Sequence, residues 1–241
     1  MNTDLLSIHD VLLERFGLQD WWPADTPFEV VIGAILTQST SWSNVEKALG
    51  NLKKKNLLCP DGLHRIDAVD LALHIRSAGY YNAKARKLKE FIDHLYTNHA
   101  GNLDRMFEQD GRLLRVELLS IWGIGPETAD SIVLYAAEKP EFVVDAYTKR
   151  IFSRMGFVKE KVSYEDLKEF SERNLPRNVD VFNEFHALLV RLGKEHCKKS
   201  KPICSGCPLE KRCLKKNVKK NPRTPSKKNK KRKDSLINRK V

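Results

Sequence analysis

"LLSIWGIGPETADSIVLYAAEKPEFVVDAYTKRIFSRMG", residues 118–156, is the stretch that decides the fold. It contains a tight turn with glycines at 123 and 125, an apolar helical segment that begins near Pro126, and an aspartate, Asp145, after two valines. Glycines let bare backbone N–H groups approach a ligand, and the start of a helix attracts anions. The turn therefore fits a phosphate, although an ordinary helix–helix turn would use the same glycines. The candidate phosphate contacts are Gly123, Ile124, Gly125 and Thr128.

On both sides of this stretch, apolar residues recur every three or four positions, which is the helical period. Glycines and prolines separate the apolar segments at intervals. Only "EFVV", residues 141–144, reads as extended, and it is too short to predict a sheet. The pattern predicts an all-α fold, with Asn82 and Ser163 as N-caps of two of its helices.

Length and composition narrow the class of protein. The chain has 241 residues, of which 41% are hydrophobic, enough for one large domain or two small ones with real cores. No apolar run is long enough for a membrane helix, and the amphipathic first helix carries acids, unlike a signal peptide. We therefore expect a cytoplasmic protein with no membrane partner.

The net charge of +12 is concentrated at the carboxyl end. Residues 214–241 hold thirteen Lys and Arg against one acid, which leaves thirty of each sign in residues 1–213. This end has almost no apolar residues to bury, so we predict that residues 214–241 form a disordered basic tail. Such tails commonly hold nucleic acid through phosphate contacts, and a purely solubilising tail is the alternative.

Four cysteines lie close together near the end of the neutral part of the chain, with the spacing C-x6-C-x2-C-x5-C. Four thiolates at such spacing suit a zinc ion or an iron–sulfur cluster, whereas disulfides are disfavoured in the cytoplasm. The four are Cys197, Cys204, Cys207 and Cys213. Three lysines of the same loop, Lys198, Lys199 and Lys201, could reach phosphates. Cys59 lies far away, and we predict that it is packed.

Residues 118–156 resemble the helix-hairpin-helix and Gly-Pro-Asp signature of the endonuclease III superfamily. The cysteine spacing resembles the [4Fe–4S] loop of endonuclease III-like DNA glycosylases. The resemblance covers residues 1–213. It implies a six-helix domain over 23–139, a second helical domain from 1–22 plus 140–213, and a structural [4Fe–4S] cluster. It also implies double-stranded DNA with a damaged base as the partner.

In that superfamily, the aspartate that matches Asp145 faces a flipped-out nucleotide and stabilises the positive sugar or orients the attacking water. A carboxylate suits this role because breaking an N-glycosidic bond builds oxocarbenium charge. Asp145 could also simply cap the following helix. Bifunctional members have a nucleophilic lysine at the position of Glu127, and a carboxylate cannot form an imine. Glu127 is then a second electrostatic or water-positioning group, or a solvated residue.

The segment "DWWPADTPFEVVIGAILTQSTSW", residues 20–42, resembles the 3-methyladenine DNA glycosylase III branch. There, the aromatic residues that match Trp21 and Trp42 sandwich the alkylated base, and neighbours that match Trp22 and Pro23 shape the pocket. Electron-rich indoles attract a cationic base. Gln38 matches a residue that fills the space left by the flipped nucleotide, or it is a polar residue at a helix end.

Two histidines outside these motifs, His186 and His196, are interpreted as packing residues, His186 pointing along its helix towards the cysteine loop. Together the patterns predict a monofunctional DNA glycosylase for alkylated purines of the 3-methyladenine type, monomeric and associated with the nucleoid. One alternative is a glycosylase for uracil or thymine opposite guanine, or an endonuclease III-like enzyme with weak abasic-site lyase activity. Another is a damaged-DNA-binding module without turnover.

Overall fold

A computed structural model describes residues 4–218, and this part of the chain is helical, with no β-strand among the described residues. The all-α prediction is confirmed. The α-helices are α1 (Leu5–Phe16), α2 (Pro27–Thr37), α3 (Trp42–Lys54), α4 (Pro60–Arg65), α5 (Ala68–His74), α6 (Tyr81–His99), α7 (Leu103–Phe107), α8 (Gly111–Ser120), α9 (Pro126–Ser131), α10 (Ala146–Met155), α11 (Tyr164–Arg173) and α12 (Val179–Glu195). A 3-10 turn spans Arg76–Ala78, and a π-helical turn, Ile132–Ala136, continues α9.

Side-chain caps fix most helix starts, because the first backbone N–H groups of a helix have no partner within it. Ser163 caps α11 as predicted, since its side chain accepts a hydrogen bond from Asp166 N. The predicted cap at Asn82 is wrong. The helix α6 begins one residue earlier, at Tyr81, and Tyr80 precedes it in the left-handed conformation with φ of 44°.

The buried side chains form two hydrophobic cores. The first core is built on α2, whose residues from Phe28 to Leu36 are all buried, and it extends along the chain to the π-helical turn. The second core joins α1 to α10, α11 and α12, with Phe152, Phe182 and Phe185 fully buried at its centre. Tyr135, in the π-helical turn, packs against both cores.

Two expectations about the periphery are corrected. Cys59 is exposed rather than packed, and its sulfur caps α4 by accepting a hydrogen bond from Gly62 N at 3.3 Å. The start of the predicted tail, 214–218, folds back on α10, where Lys216 N donates to Arg154 O at 2.9 Å. The rest of the predicted tail, 219–241, lies outside the described residues. Within 4–218, no helix is long and apolar enough to cross a membrane.

Candidate active site

Asp145 stands at the start of α10, directly after the buried residues Val143 and Val144. Its Oδ1 caps the helix by accepting hydrogen bonds from Thr148 N at 2.7 Å and Thr148 Oγ1 at 2.9 Å. Its Oδ2 faces inward, 3.8 Å from Nε2 of His186, and only 11% of the side chain is exposed. The capping interpretation of Asp145 is thus correct for one oxygen, which leaves the second oxygen available for chemistry.

A tyrosine–histidine pair lies behind Asp145. The hydroxyl of Tyr135, in the π-helical turn, lies 2.6 Å from Nδ1 of His186 on α12. Burial lowers the pKa of His186, although the charge of Asp145 opposes this, so the imidazole is neutral. His186 therefore points to Asp145 and Tyr135 and not towards the cysteine loop, which corrects the sequence interpretation. Tyr135 was missed altogether, although a single tyrosine in an aliphatic helical run was a usable signal.

Glu127 lies in the first turn of α9, and its side chain is exposed to solvent. The surrounding protein nevertheless raises the pKa of Glu127 to about 7, first by desolvation and second through the charge of Asp145. Two carboxyl groups that share a site cannot both ionise freely. Glu127 therefore changes protonation state near neutral pH.

The glycine turn before α9 is required by its geometry. Gly123 has φ of +89°, and a Cβ there would lie 2.5 Å from Cγ of Lys87. No side chain caps the start of α9, whose N-cap is Gly125, so its first N–H groups remain available for an anion. The predicted contact Ile124 is buried, as is Thr128.

Gln38 ends α2 and is held by the glycine turn. Its Nε2 donates to Gly123 O at 3.2 Å and to Thr128 Oγ1 at 3.0 Å, and its Oε1 accepts from Lys87 Nζ. The prediction that Gln38 fills the space of a flipped nucleotide stays a prediction, and in that role the side chain would release these bonds. The hydroxyl of Thr128 is likewise engaged, so only its backbone is available to a phosphate.

The four residues proposed for the base pocket come together. The rings of Trp21 and Trp42 have centroids 6.5 Å apart and an interplanar angle of 42°, and Trp22 packs edge-on against Trp42 at 5.1 Å. Pro23 is exposed beside them. Trp22 also contacts Tyr135 at 5.2 Å, so this aromatic group connects through Tyr135 and His186 to Asp145.

Unsatisfied polar atoms gather at the same place. Among the described residues, three buried side-chain nitrogens lack a hydrogen-bond partner: Trp21 Nε1, Trp22 Nε1 and His186 Nε2. Buried polar groups are nearly always hydrogen-bonded, and each exception costs free energy. All three belong to the group that links the tryptophans through Tyr135 and His186 to Asp145. Unpaired polar atoms that lie together in this way are typical of a ligand-binding site.

The cysteine loop is fastened to α10. Arg154, buried on that helix, donates to Cys197 Sγ at 3.3 Å, to Lys198 O at 2.8 Å and to Lys199 O at 2.9 Å. Burial raises the pKa of Cys207 and Cys213, and the charges of other cysteines of the loop add to this. The three lysines predicted to reach phosphates, at 198, 199 and 201, are all exposed. Arg154 was missed because an arginine on an apolar helix face gives no sequence signal of its target.

Comparison with known proteins gives concordant matches. Residues 32–177 match the sequence profile of the HhH-GPD superfamily base excision DNA repair protein family. A Methanocaldococcus jannaschii protein, provisionally assigned as a DNA repair glycosylase, is 48% identical over 214 residues, which is 88% of this chain and 96% of that protein.

Two solved structures are similar in fold. The H. pylori 3-methyladenine DNA glycosylase bound to 1,N6-ethenoadenine has a TM-score of 0.69 and 26% identity, covering 79% of this chain and 96% of that one. A trapped covalent intermediate of endonuclease III with DNA has a TM-score of 0.77 and 25% identity, covering 89% of this chain and 97% of that one.

Proposed function

The chain belongs to the HhH-GPD superfamily of base excision DNA repair proteins and is a DNA glycosylase of that family, and we propose that it hydrolyses the N-glycosidic bond of alkylated purines in duplex DNA without cutting the strand. The observation that carries this proposal is the arrangement around Asp145. One carboxylate oxygen is fixed by a helix cap, the other is free, and an aromatic group lies three contacts away.

The chemistry follows from the charge that develops on the sugar. As the bond to the base breaks, the deoxyribose acquires oxocarbenium character, and the free Oδ2 of Asp145 stabilises that positive charge. The cap bonds from Thr148 hold the carboxylate in place before the reaction, so little reorganisation is needed. Glu127, whose pKa is raised to about 7, then positions the water and accepts its proton.

The strand stays intact because no amine is available at the position of Glu127. A lyase step begins with an amine that attacks C1′ of the sugar and forms an imine, and a carboxylate cannot do this. The similarity to a trapped covalent intermediate of endonuclease III makes a weak lyase activity the competing outcome. Borohydride trapping separates the two outcomes.

The base is proposed to enter between Trp21 and Trp42. Their centroid separation of 6.5 Å is close to the ~7 Å needed for a planar ring at van der Waals distance from both indoles. Rotating one indole to remove the tilt would complete the slot. Trp42 is already oriented by a hydrogen bond from its Nε1 to Glu46 at 2.9 Å. Cation–π attraction then favours a methylated, positively charged purine.

A second candidate substrate class is supported by the unpartnered nitrogens. Indole N–H groups can only donate, so the free Nε1 atoms of Trp21 and Trp22 suit a base with carbonyl acceptors, such as uracil, thymine or hypoxanthine. The ammonium of Lys194, 5.8 Å from the Trp21 ring centroid, also opposes a cationic base. A panel of lesions decides between the two classes.

Duplex DNA is proposed to lie across the glycine turn and the cysteine loop. The uncapped start of α9 offers backbone N–H groups to one phosphate, and the exposed lysines at 198, 199 and 201 offer charge to others. The damaged-DNA-binding module without turnover would use the same surface but would not need Asp145, whose negative charge would repel the phosphates.

The four cysteines are proposed to hold a [4Fe–4S] cluster. The spacing C-x6-C-x2-C-x5-C supports this proposal, because four thiolates are the ligand set of such a cluster. When bound, the cluster supplies structural cross-linking, and Arg154 and Arg150 hold the loop on α10.

The test is base release under single-turnover conditions from duplexes that each carry one methylated, deaminated or mismatched base. We expect release of 3-methyladenine by the wild type and a loss of at least about 100-fold in Asp145→Asn, because asparagine keeps the cap but not the charge. Asp166→Asn, an exposed aspartate in the first turn of α11, is the matched control and should leave the rate unchanged. Full activity of Asp145→Asn would refute the proposed mechanism.

A further inference from the structure

We propose that His94, His99 and Glu117 form a binding site for one divalent transition-metal ion, of which Zn²⁺ is the natural candidate. This site is separate from both the cleft at Asp145 and the cysteine loop. His94 and His99 lie in the last two turns of α6, and Glu117 lies on α8. Their ligand atoms all fall within 4.8 Å of one another.

Both imidazoles point at one carboxylate oxygen. His94 Nε2 is 2.7 Å and His99 Nε2 is 2.6 Å from Oε1 of Glu117. Two nitrogens and a carboxylate oxygen form a donor set that zinc and similar borderline cations prefer. An ion would take the place of the two Nε2 protons, which would move to Nδ1 of the same rings, with small outward movements of the three side chains.

The carboxylate of Glu117 has an outer partner of the kind that metal ligands have. Gln109 Nε2 donates to its second oxygen. Such a partner fixes the orientation of a metal-binding carboxylate.

Access and helix electrostatics also favour a cation. The exposed fractions of the three side chains are 21% for His94, 14% for His99 and 20% for Glu117, so an ion can enter without unfolding. His99 is the last residue of α6, where the helix dipole places partial negative charge. A bound ion would fasten the end of α6 to α8, the helix that leads into the glycine turn.

The experiment is a Co²⁺ and Zn²⁺ titration of the full-length protein, followed by thermal unfolding and by absorption spectroscopy. We expect one ion per chain beyond any bound by the cysteines, a rise in Tm with Zn²⁺, and weak d–d absorption of Co²⁺ without thiolate charge-transfer bands. The charge-transfer bands report the cysteine loop and so distinguish the two sites.

Two variants should weaken Co²⁺ binding at this site at least ten-fold, Glu117→Gln and His99→Gln. The matched control is Glu108→Gln, an exposed residue between α7 and α8, which should bind Co²⁺ like the wild type. His99→Gln keeps the pair of His94 with Glu117 and therefore gives a second reading if Glu117→Gln unfolds. Wild-type protein with no d–d absorption, or variants with unchanged affinity, would show that the cluster is only a hydrogen-bonded clamp.

Discussion

Two aspartates, Asp130 in α9 and Asp145 at the start of α10, have different surroundings. Asp130 is fully buried and bonded on all sides: Arg115 Nε donates to it at 2.7 Å, Tyr164 at 2.7 Å, and Lys168 lies 3.9 Å away. Asp145 is partly buried, with 11% of its side chain exposed, and its Oδ2 faces Nε2 of His186 at 3.8 Å. We call Asp130, Arg115, Tyr164 and Lys168 the Asp130 network. We call Asp145, Glu127, Tyr135 and His186 the Asp145 cluster.

This difference separates a structural charge network from the proposed active site. In the Asp130 network, burial raises the pKa of Asp130 while the bonds from Arg115 and Tyr164 and the charge of Lys168 oppose the shift. The Tyr164 hydroxyl also accepts a hydrogen bond from Val144 N at 3.3 Å, so the network anchors the segment that leads to Asp145. A cavity of about 370 Å³ borders the network, and several of its charged lining residues pair with each other, Arg115 with Glu165 and Lys168 with Glu141 and Glu172. The Asp130 network is hydrogen-bonded throughout, whereas His186 Nε2 in the Asp145 cluster has no hydrogen-bond partner among the described residues.

The largest effect on stability should come from breaking the Asp130 network. Asp130→Ala leaves Arg115 and Lys168 without their shared buried partner, and we expect a loss of about 3–5 kcal/mol in the free energy of unfolding. The rate of base release per folded molecule should stay within about three-fold, because the network reaches Asp145 only indirectly, through the bond from Val144 N to the Tyr164 hydroxyl. Chemical denaturation and single-turnover kinetics measure the two effects. A selective loss of rate with unchanged stability would erase the distinction between the two regions.

Breaking the Asp145 cluster should do the reverse. His186→Phe keeps a ring of similar size, so the free energy of unfolding should change by only about 1 kcal/mol, while base release falls roughly ten-fold. Tyr135→Phe removes the other half of the pair and should have a similar effect.

The double variant should then be little worse than either single one, since the two side chains act as a unit. A double-mutant cycle of single-turnover rates provides the measurement. Fully additive losses would mean that Tyr135 and His186 act independently of each other.

The smallest effect concerns the pH dependence of stability. The native pKa of Glu127 is raised to about 7 from its ordinary 4.5, so between these values the native state keeps a proton that the unfolded chain has released. Raising the pH through this window therefore lowers the free energy of unfolding. Because the side chain is open to solvent, the effect should be modest. Glu127→Gln should flatten the slope in denaturation curves from pH 4.5 to 7, and parallel slopes would contradict the shift.

Local features of the molecule could be read from the sequence. The turn at Gly123, the helix cap at Asp145 and the grouping of four cysteines each depend on residues that are close together in the sequence. The same holds for the helical spacing of apolar residues that predicts an all-α fold. Local reasoning also produced errors, such as those at Asn82 and Cys59, where the actual helix start and the surface position depend on the rest of the fold.

Contacts between distant residues could not be predicted. Tyr135 and His186 are 51 positions apart, and Tyr164 and Asp130 are 34 apart. Nothing in the local pattern of either partner identifies the other, since the pairing is set by how α12 and α11 pack on the segment that starts with α9. The sequence therefore suggested the positions of the carboxylates without showing which of them would be left unsatisfied.

We predict that the Asp145 site releases a base without an attacking amine. The direct test is borohydride trapping on a duplex that contains the lesion that the enzyme removes, with Glu127→Lys as a positive control for imine formation. For the wild type we predict free base, strands that remain whole until alkali is added, and no covalent adduct. Strand nicks before alkali, together with a trapped wild-type adduct, would contradict the account.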